Sequence, residues 1–233
     1  MHQLLAQAGF FGVACLGFVK VDRELISALV ERWRPETHSF HMPIGEVTIT
    51  LQDVTALIGL KAEGKPVVGD TNLDWFEECE RLLGRRPEET DINGQRLRLK
   101  WLKDNFLQVD ENVGPEELLI YARAYILLLL GGKLFGDSSS QYVHLMFLPL
   151  LENFDDTYNY SWGSAVLAFL YRELCRCGNP KKKDIGGCVQ LICLWAWERF
   201  KPIAPIIRKT HPERQWVVQL QEELPSLPPI GSK

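Results

Sequence analysis

Apolar residues recur at helical spacing along most of this chain, and nearly every such stretch is closed by a Gly or a Pro, so the fold must be assembled from many short helices. Asp22 is placed to cap a helix in which Leu25, Ile26, Leu29, Val30 and Trp33 form one stripe against Arg23, Glu24, Glu31 and Arg32, and Pro35 bounds it. Thr50 to Asp53 has the form of a capping arrangement for a short helix that stops at Gly59. Further helices are predicted over 72–83, closed by Gly84; over 99–106; over 115–130, opened by Pro115 and ended by Gly131-Gly132; over 138–151, from a capping box at Ser138 to Gln141; over 162–175, capped by Ser161; and over 187–200. The stretch 4–19 reads as a core helix, because Met1-His2-Gln3 supplies no basic leader. One segment breaks the helical period. Residues 37–41 and 46–50 flank Met42-Pro43-Ile44-Gly45, and Val47 and Ile49 alternate with Thr48 and Thr50, the pattern of a small hairpin.

The expected fold class is therefore mainly α: a compact multi-helix domain with a small β-hairpin near residues 37–50. Polar loops are expected over 61–71 and 88–94. Residues 1–205 form one domain in this reading, and 206–233, with Pro212, Pro225, Pro228 and Pro229, form a partly extended arm. A hydrophobic fraction of 46% can fill a core, and seven Trp and eleven Phe supply large buried areas. The net charge of -4 argues against a surface that clamps phosphate all over, while leaving room for local basic patches. The run 126–130, between Arg123 and Lys133, is far below the roughly 20 apolar residues of a membrane span. Six Cys in apolar surroundings point to reduced thiols and hence to an intracellular protein.

Several ordered strings resemble one family. They are Ala28-Leu29-Val30-Glu31-Arg32-Trp33-Arg34-Pro35 running on to Met42-Pro43, then Gly45-Glu46-Val47-Thr48-Ile49-Thr50-Leu51-Gln52-Asp53-Val54, and Gly131-Gly132-Lys133-Leu134-Phe135-Gly136-Asp137. Tyr160-Ser161-Trp162-Gly163-Ser164-Ala165, Leu170-Tyr171-Arg172-Glu173-Leu174 and Trp195-Ala196-Trp197-Glu198-Arg199-Phe200 complete the pattern. The chain is similar to the plant mobile domain over residues 9 to about 205. The resemblance implies a nuclear protein of the Maintenance-of-Meristems-like group, tied to transposon silencing, gene-expression control and genome stability. It also implies a phosphatase-like partner of the plant seven type, and a chain cut from a longer protein. Trp33, Arg34, Trp162, Arg172, Trp197 and Arg199, which lie in these strings, are the candidate partner-binding residues.

No complete catalytic constellation is expected. Gly59 to Lys65 has P-loop spacing, but Pro66 stands where Ser or Thr must reach magnesium. Cys175-x-Cys177 is too tight for a zinc pair, and Cys188 and Cys193 fall on different helix faces. His38 and His41 flank Phe40 without an evident third ligand other than Glu46. Glu46, Asp53, Asp137, Asp155 and Asp156 have no spacing that makes them converge, and no Gly-x-Ser-x-Gly elbow surrounds Ser164. The reading is of a non-catalytic interaction domain without cofactor or metal. Its alternative is a transposon-derived DNA- or RNA-binding module using Arg85, Arg86, Arg96, Arg98 and, separately, Lys181, Lys182 and Lys183.

Overall fold

A computed structural model describes residues 1–205 apart from 18, 110–112, 138, 140 and 178–183. The expected Pro-rich arm and the lysines 181–183 therefore lie outside the described residues. The domain is mainly α, as its periodicity predicts, with two small antiparallel sheets.

Helices α1 (His2–Gln7), α2 (Phe11–Cys15) and α3 (Arg23–Val30) open the chain. The single helix expected over 4–19 is two, because Gly9 takes a φ of 81° and turns the chain between them. Asp22 caps α3 as predicted, accepting from the Leu25 N–H at 3.0 Å. Trp33, expected on the stripe of α3, sits instead in strand β1 (Trp33–Arg34), which pairs with β2 (Ser39–Met42) and through it with β3 (Gly45–Val47). The predicted hairpin is thus the outer part of a three-stranded sheet, in which Trp33 opposes Phe40 and Phe40 opposes Val47.

Helix α4 (Leu51–Ile58) carries a complete capping box: Thr50 and Asp53 satisfy each other's backbone N–H, and Gly59 closes the helix in the left-handed region. Helix α5 (Trp75–Leu83) starts three residues later than the reading of 72–83, since Asp74 is its cap. Residues 88–94, read as a loop, hold strand β4 (Ile92–Asn93), which turns through Gly94 into β5 (Arg96–Arg98). Helix α6 (Leu99–Phe106) follows directly, and then the long α7 (Pro115–Leu129), which is buried along most of its second half.

Gly131-Gly132 does not stop this helix but widens it into a π turn over Leu130–Leu134. Space is the reason: a Cβ on Gly131 would lie 2.6 Å from the Val143 Cβ, so the glycine lets the turn pass beneath strand β6 (Tyr142–His144). That strand and two 3-10 turns, Leu145–Phe147 and Pro149–Leu151, replace the helix expected over 138–151. Tyr142-Val143-His144 has strand alternation, and Pro149 lacks the N–H that a continuing α-helix would use. Short α8 (Phe154–Tyr158), long α9 (Trp162–Cys177) and α10 (Val189–Arg199) complete the body. One apolar core runs from Leu5 to Trp197 and takes side chains from every described α-helix.

Buried polar groups are committed inside this core. Arg123, on α7, spreads its guanidinium over three backbone carbonyls, those of Leu82, Leu151 and Glu152. It thereby ties α5, α7 and the turn before α8 together, which is the use a planar five-donor fork suits.

Candidate functional site

The first sheet meets α4, α9 and α10 in a cluster of rings and polar groups. Trp33 packs edge-on against Phe40 at 4.9 Å and in a tilted contact against Tyr171 of α9 at 5.2 Å, while Phe40 reaches Trp195 of α10 at 5.3 Å. The Trp33 indole N–H donates to the Cys175 sulfur at 3.3 Å. His38, held at a φ of 49°, stacks on the Tyr171 ring at 5.5 Å. The Tyr171 hydroxyl lies 2.8 Å from the Thr48 hydroxyl and donates to the Ile49 carbonyl. Burial pushes this phenol above its ordinary pKa, and the Thr48 bond only partly offsets the effect. Donation to the Ile49 carbonyl makes this neutral Tyr a structural tie between α9 and the segment that leads into α4.

Asp53 completes the cluster. Its carboxylate accepts from the Thr50 N–H and hydroxyl, both at 2.8 Å, and from Arg199 Nη2 at 2.6 Å. Burial alone would raise this carboxyl, but these bonds together hold it below the usual carboxylate value. Arg199 thus locks the end of α10 to the start of α4.

The candidate partner-binding residues separate into two groups. Trp33, Trp162 and Trp197 are buried, at 4%, 2% and 8% exposure, and belong to the core. As anchors for a partner they are corrected: aromatic residues at helical spacing have filled the interior, and Trp162 spends its N–H on the Thr157 carbonyl at 2.9 Å. Trp195 and Trp197 keep indole N–H groups without a hydrogen-bond partner among the described residues. The three arginines do reach the surface. Arg34 is exposed on β1; Arg172 lies over the Phe169 ring at 4.5 Å beside Glu173 at 3.8 Å; and Arg199 is half-exposed but held by Asp53.

The basic candidates are also divided by the fold. Arg85 donates to Asn105 and covers Phe106 at the end of α6, and Arg86 pairs with Glu80 at 3.1 Å. Arg96 and Arg98 lie elsewhere, on the outer face of the second sheet, in a segment whose strands are too short to show alternation. The available signal was Gly94, which at a φ of 63° opens the two-residue Gly94-Gln95 loop between the paired Asn93 and Arg96.

Other motifs find structural uses. Lys65, at the end of the P-loop-like stretch, donates its N–H to Asn159 at 2.8 Å, and its carbonyl accepts from Ser161. A Cβ on Gly64 would meet the Asn159 oxygen at 2.3 Å, so this glycine permits two backbones to touch. Among the described residues no three His, Cys, Asp or Glu side chains are arranged to hold a metal ion. Glu46 accepts from Ser39, Asp137 pairs with Arg96, and Asp155 accepts from Gln7, so the acidic candidates serve separate contacts. No described helix is long and apolar enough to cross a membrane.

Residues 9–226 match the family model of the plant mobile domain. The chain is 48% identical over 197 residues to the serine/threonine-protein phosphatase 7 long form homolog of Arabidopsis thaliana, covering 84% of this chain and 15% of that protein. It is 42% identical over 195 residues to protein MAIN-LIKE 2 and 38% identical over 196 residues to protein MAINTENANCE OF MERISTEMS, both of Arabidopsis thaliana. Those matches cover 84% and 83% of this chain but 29% and 41% of the relatives, so the chain spans less than half the length of each of these proteins. No solved structure matches. On the extent of the family match and these identities, the chain belongs to the plant mobile domain family.

Proposed function

We propose that this domain is a non-catalytic interaction module. It acts in the nucleus beside a phosphatase-like partner of the plant seven type, in transposon silencing, gene-expression regulation and meristem and genome maintenance. The observation that carries the reading is that the same domain recurs in relatives with different names, one a phosphatase 7 long form homolog and another MAINTENANCE OF MERISTEMS. A module shared by such proteins is economically explained as a binding unit. The internal chemistry supports this: Arg123, Asp53 and Tyr171, the buried or half-buried polar groups most able to do chemistry, are all taken up by structural bonds.

Arg34 and Arg172 are the exposed candidates for the partner surface. Each follows in sequence a residue of the buried Trp33–Tyr171 contact, which fixes the backbone on which it stands. Capture of the phosphatase-like protein from plant nuclear extract by the wild-type chain tests the proposal, with an Arg34→Glu/Arg172→Glu variant in parallel. Capture should fall at least tenfold in the variant while its melting curve stays unchanged, in line with truncation of an arginine hot spot costing about 2 kcal/mol or more. Failure of the wild-type chain to capture the phosphatase-like protein overturns the reading, and equal capture by the variant overturns the assignment of its surface.

A further inference from the structure

The second sheet has two chemically different faces. Its register sets Leu97 between Ile92 and Val143, and this row turns toward the core, where Leu97 and Val143 are fully buried. The opposite row follows from strand alternation: Asn93 beside Arg96, Arg96 beside His144, and Arg98 beside Tyr142. Asn93, Arg96 and Arg98 are exposed, and Tyr142 and His144 are partly so.

The side chains on that face are mutually organised. The Arg96 guanidinium carbon lies 5.2 Å from the centre of the Tyr142 ring, within cation–π range. Arg98 Nε–H donates to the Tyr142 hydroxyl at 3.4 Å, so the phenol is held from both sides by cations. Those cations, together with Asn93, hold the Tyr142 phenol below its ordinary pKa. His144 accepts the Met146 N–H through Nδ1 at 3.2 Å, which assigns it the neutral form with its Nε2–H as the remaining donor. Burial, then the charge of Arg96, lowers its pKa in the same sense. Asp137 pairs with Arg96 at 3.3 Å, but both side chains are over 40% exposed, and such a surface pair offers weak competition to a phosphate. Two residues beyond Arg98, α6 begins to present Lys100 and then Lys103, both exposed and one turn apart.

We propose that the outer face of this sheet, formed by Arg96, Arg98 and Tyr142, is a binding platform for single-stranded nucleic acid. Unpaired bases stack on the Tyr142 ring and its layered guanidinium, and Arg98 with the α6 lysines meets the backbone phosphates. The charge complementarity is local, on a chain whose net charge is -4. A flat aromatic surface flanked by guanidinium groups suits the π-face of a base, a feature an acidic peptide would leave unused. Neighbouring strands stand about 4.8 Å apart, so three strands give a platform roughly 10 Å across, the scale of one or two splayed nucleotides and too narrow for a duplex groove to be read. This surface is separate from Arg34 and Arg172, and the inference does not depend on the partner reading.

The test is fluorescence anisotropy of the full chain with labelled single strands of DNA and of RNA about 12 nucleotides long, the matching DNA duplex, and a poly-glutamate peptide, each at low and moderate salt. The single strands should bind, with a log–log salt slope of magnitude about 1.4 to 2, as roughly two to three neutralised phosphates require. Tyr142→Ala should weaken binding about tenfold and Tyr142→Phe should not, because stacking needs the ring and not the hydroxyl. Arg98→Glu should weaken binding further and flatten the salt slope, whereas Arg86→Glu, at a residue already held by Glu80, should leave it unchanged. Melting curves of the variants separate loss of binding from loss of fold. No binding of either strand at low salt overturns the proposal. So does equal affinity for the duplex or for poly-glutamate, or a Tyr142→Ala variant that folds and binds like the wild type.

Discussion

Asp53 shows how one side chain sets a pH limit on the fold. Its carboxylate is depressed below the ordinary value in the folded chain and returns to about 3.9 when the chain unfolds. The unfolded state therefore binds the proton more readily, so the stabilising contribution is complete above about pH 4 and is lost as pH falls through the lowered folded value. Asp53→Asn removes the charge that draws Arg199 and one acceptor of the capping box. It should cost about 1 to 2 kcal/mol near neutral pH, as loss of a cap with a charge-assisted bond does. Urea denaturation of both proteins at pH 6 and pH 3 measures the difference. The gap between them should narrow at the lower pH, and a gap independent of pH would show that the charge on Asp53 contributes nothing.

At the scale of elements, the paired glycines after α7 make contrasting demands. A Cβ on Gly131 would stand 2.6 Å from the Val143 Cβ and 2.8 Å from Leu99 Cδ2, whereas one on Gly132 would find only Leu99 Cδ1, at 3.9 Å. Gly131→Ala should thus destabilise by about 1 to 3 kcal/mol through overpacking against β6. Gly132→Ala should be neutral or slightly stabilising, since it adds helix propensity without a clash. Denaturant midpoints of the two variants check this, and equal midpoints would remove the steric account of the π turn. The same region shows where sequence reading stops. Caps are local in sequence, so Asp22, the Thr50–Asp53 box and the terminating Gly59 and Gly84 were legible residue by residue. Strand β6 pairs with β5 more than 40 residues away, and a two- or three-residue strand carries too few alternations to announce itself. Ser138 to Gln141 consequently looked like a helix start. The sheet platform was illegible for the same reason: Arg96, Arg98 and Tyr142 become one face only when that non-local register exists. The tryptophans failed as surface anchors in the opposite direction, because the spacing of Trp33, Trp162 and Trp197 is equally that of a core, and the interior claimed them.

Among the described residues, α10 is the last α-helix, and it closes the body. Leu191, Ile192, Cys193, Trp195, Ala196 and Trp197 of α10 are buried on several faces, and the helix is packed against both α3 and α4. Contacts this far apart in sequence, such as Trp33 to Cys175 and Asp53 to Arg199, bind the first sixty residues to the last described ones. Opening the core at one end should therefore open it everywhere, and the cysteines report this directly. Cys79 on α5 and Cys188 and Cys193 at α10 are buried free thiols. Burial pushes Cys79 up to about 12 and Cys188 up to about 11, and raises Cys193 as well, so little of the reactive thiolate exists at pH 8. Under native conditions a disulfide-exchange reagent should leave these three unmodified, and in urea they should become reactive together, over the same denaturant range as the loss of helical circular dichroism. Reaction of Cys188 and Cys193 ahead of Cys79 would mean that α10 detaches by itself and that the body has a separable end. Coincident exposure would mean one cooperative unit, with the α4–α10 ion pair and the Trp33–Tyr171 contact as its seam.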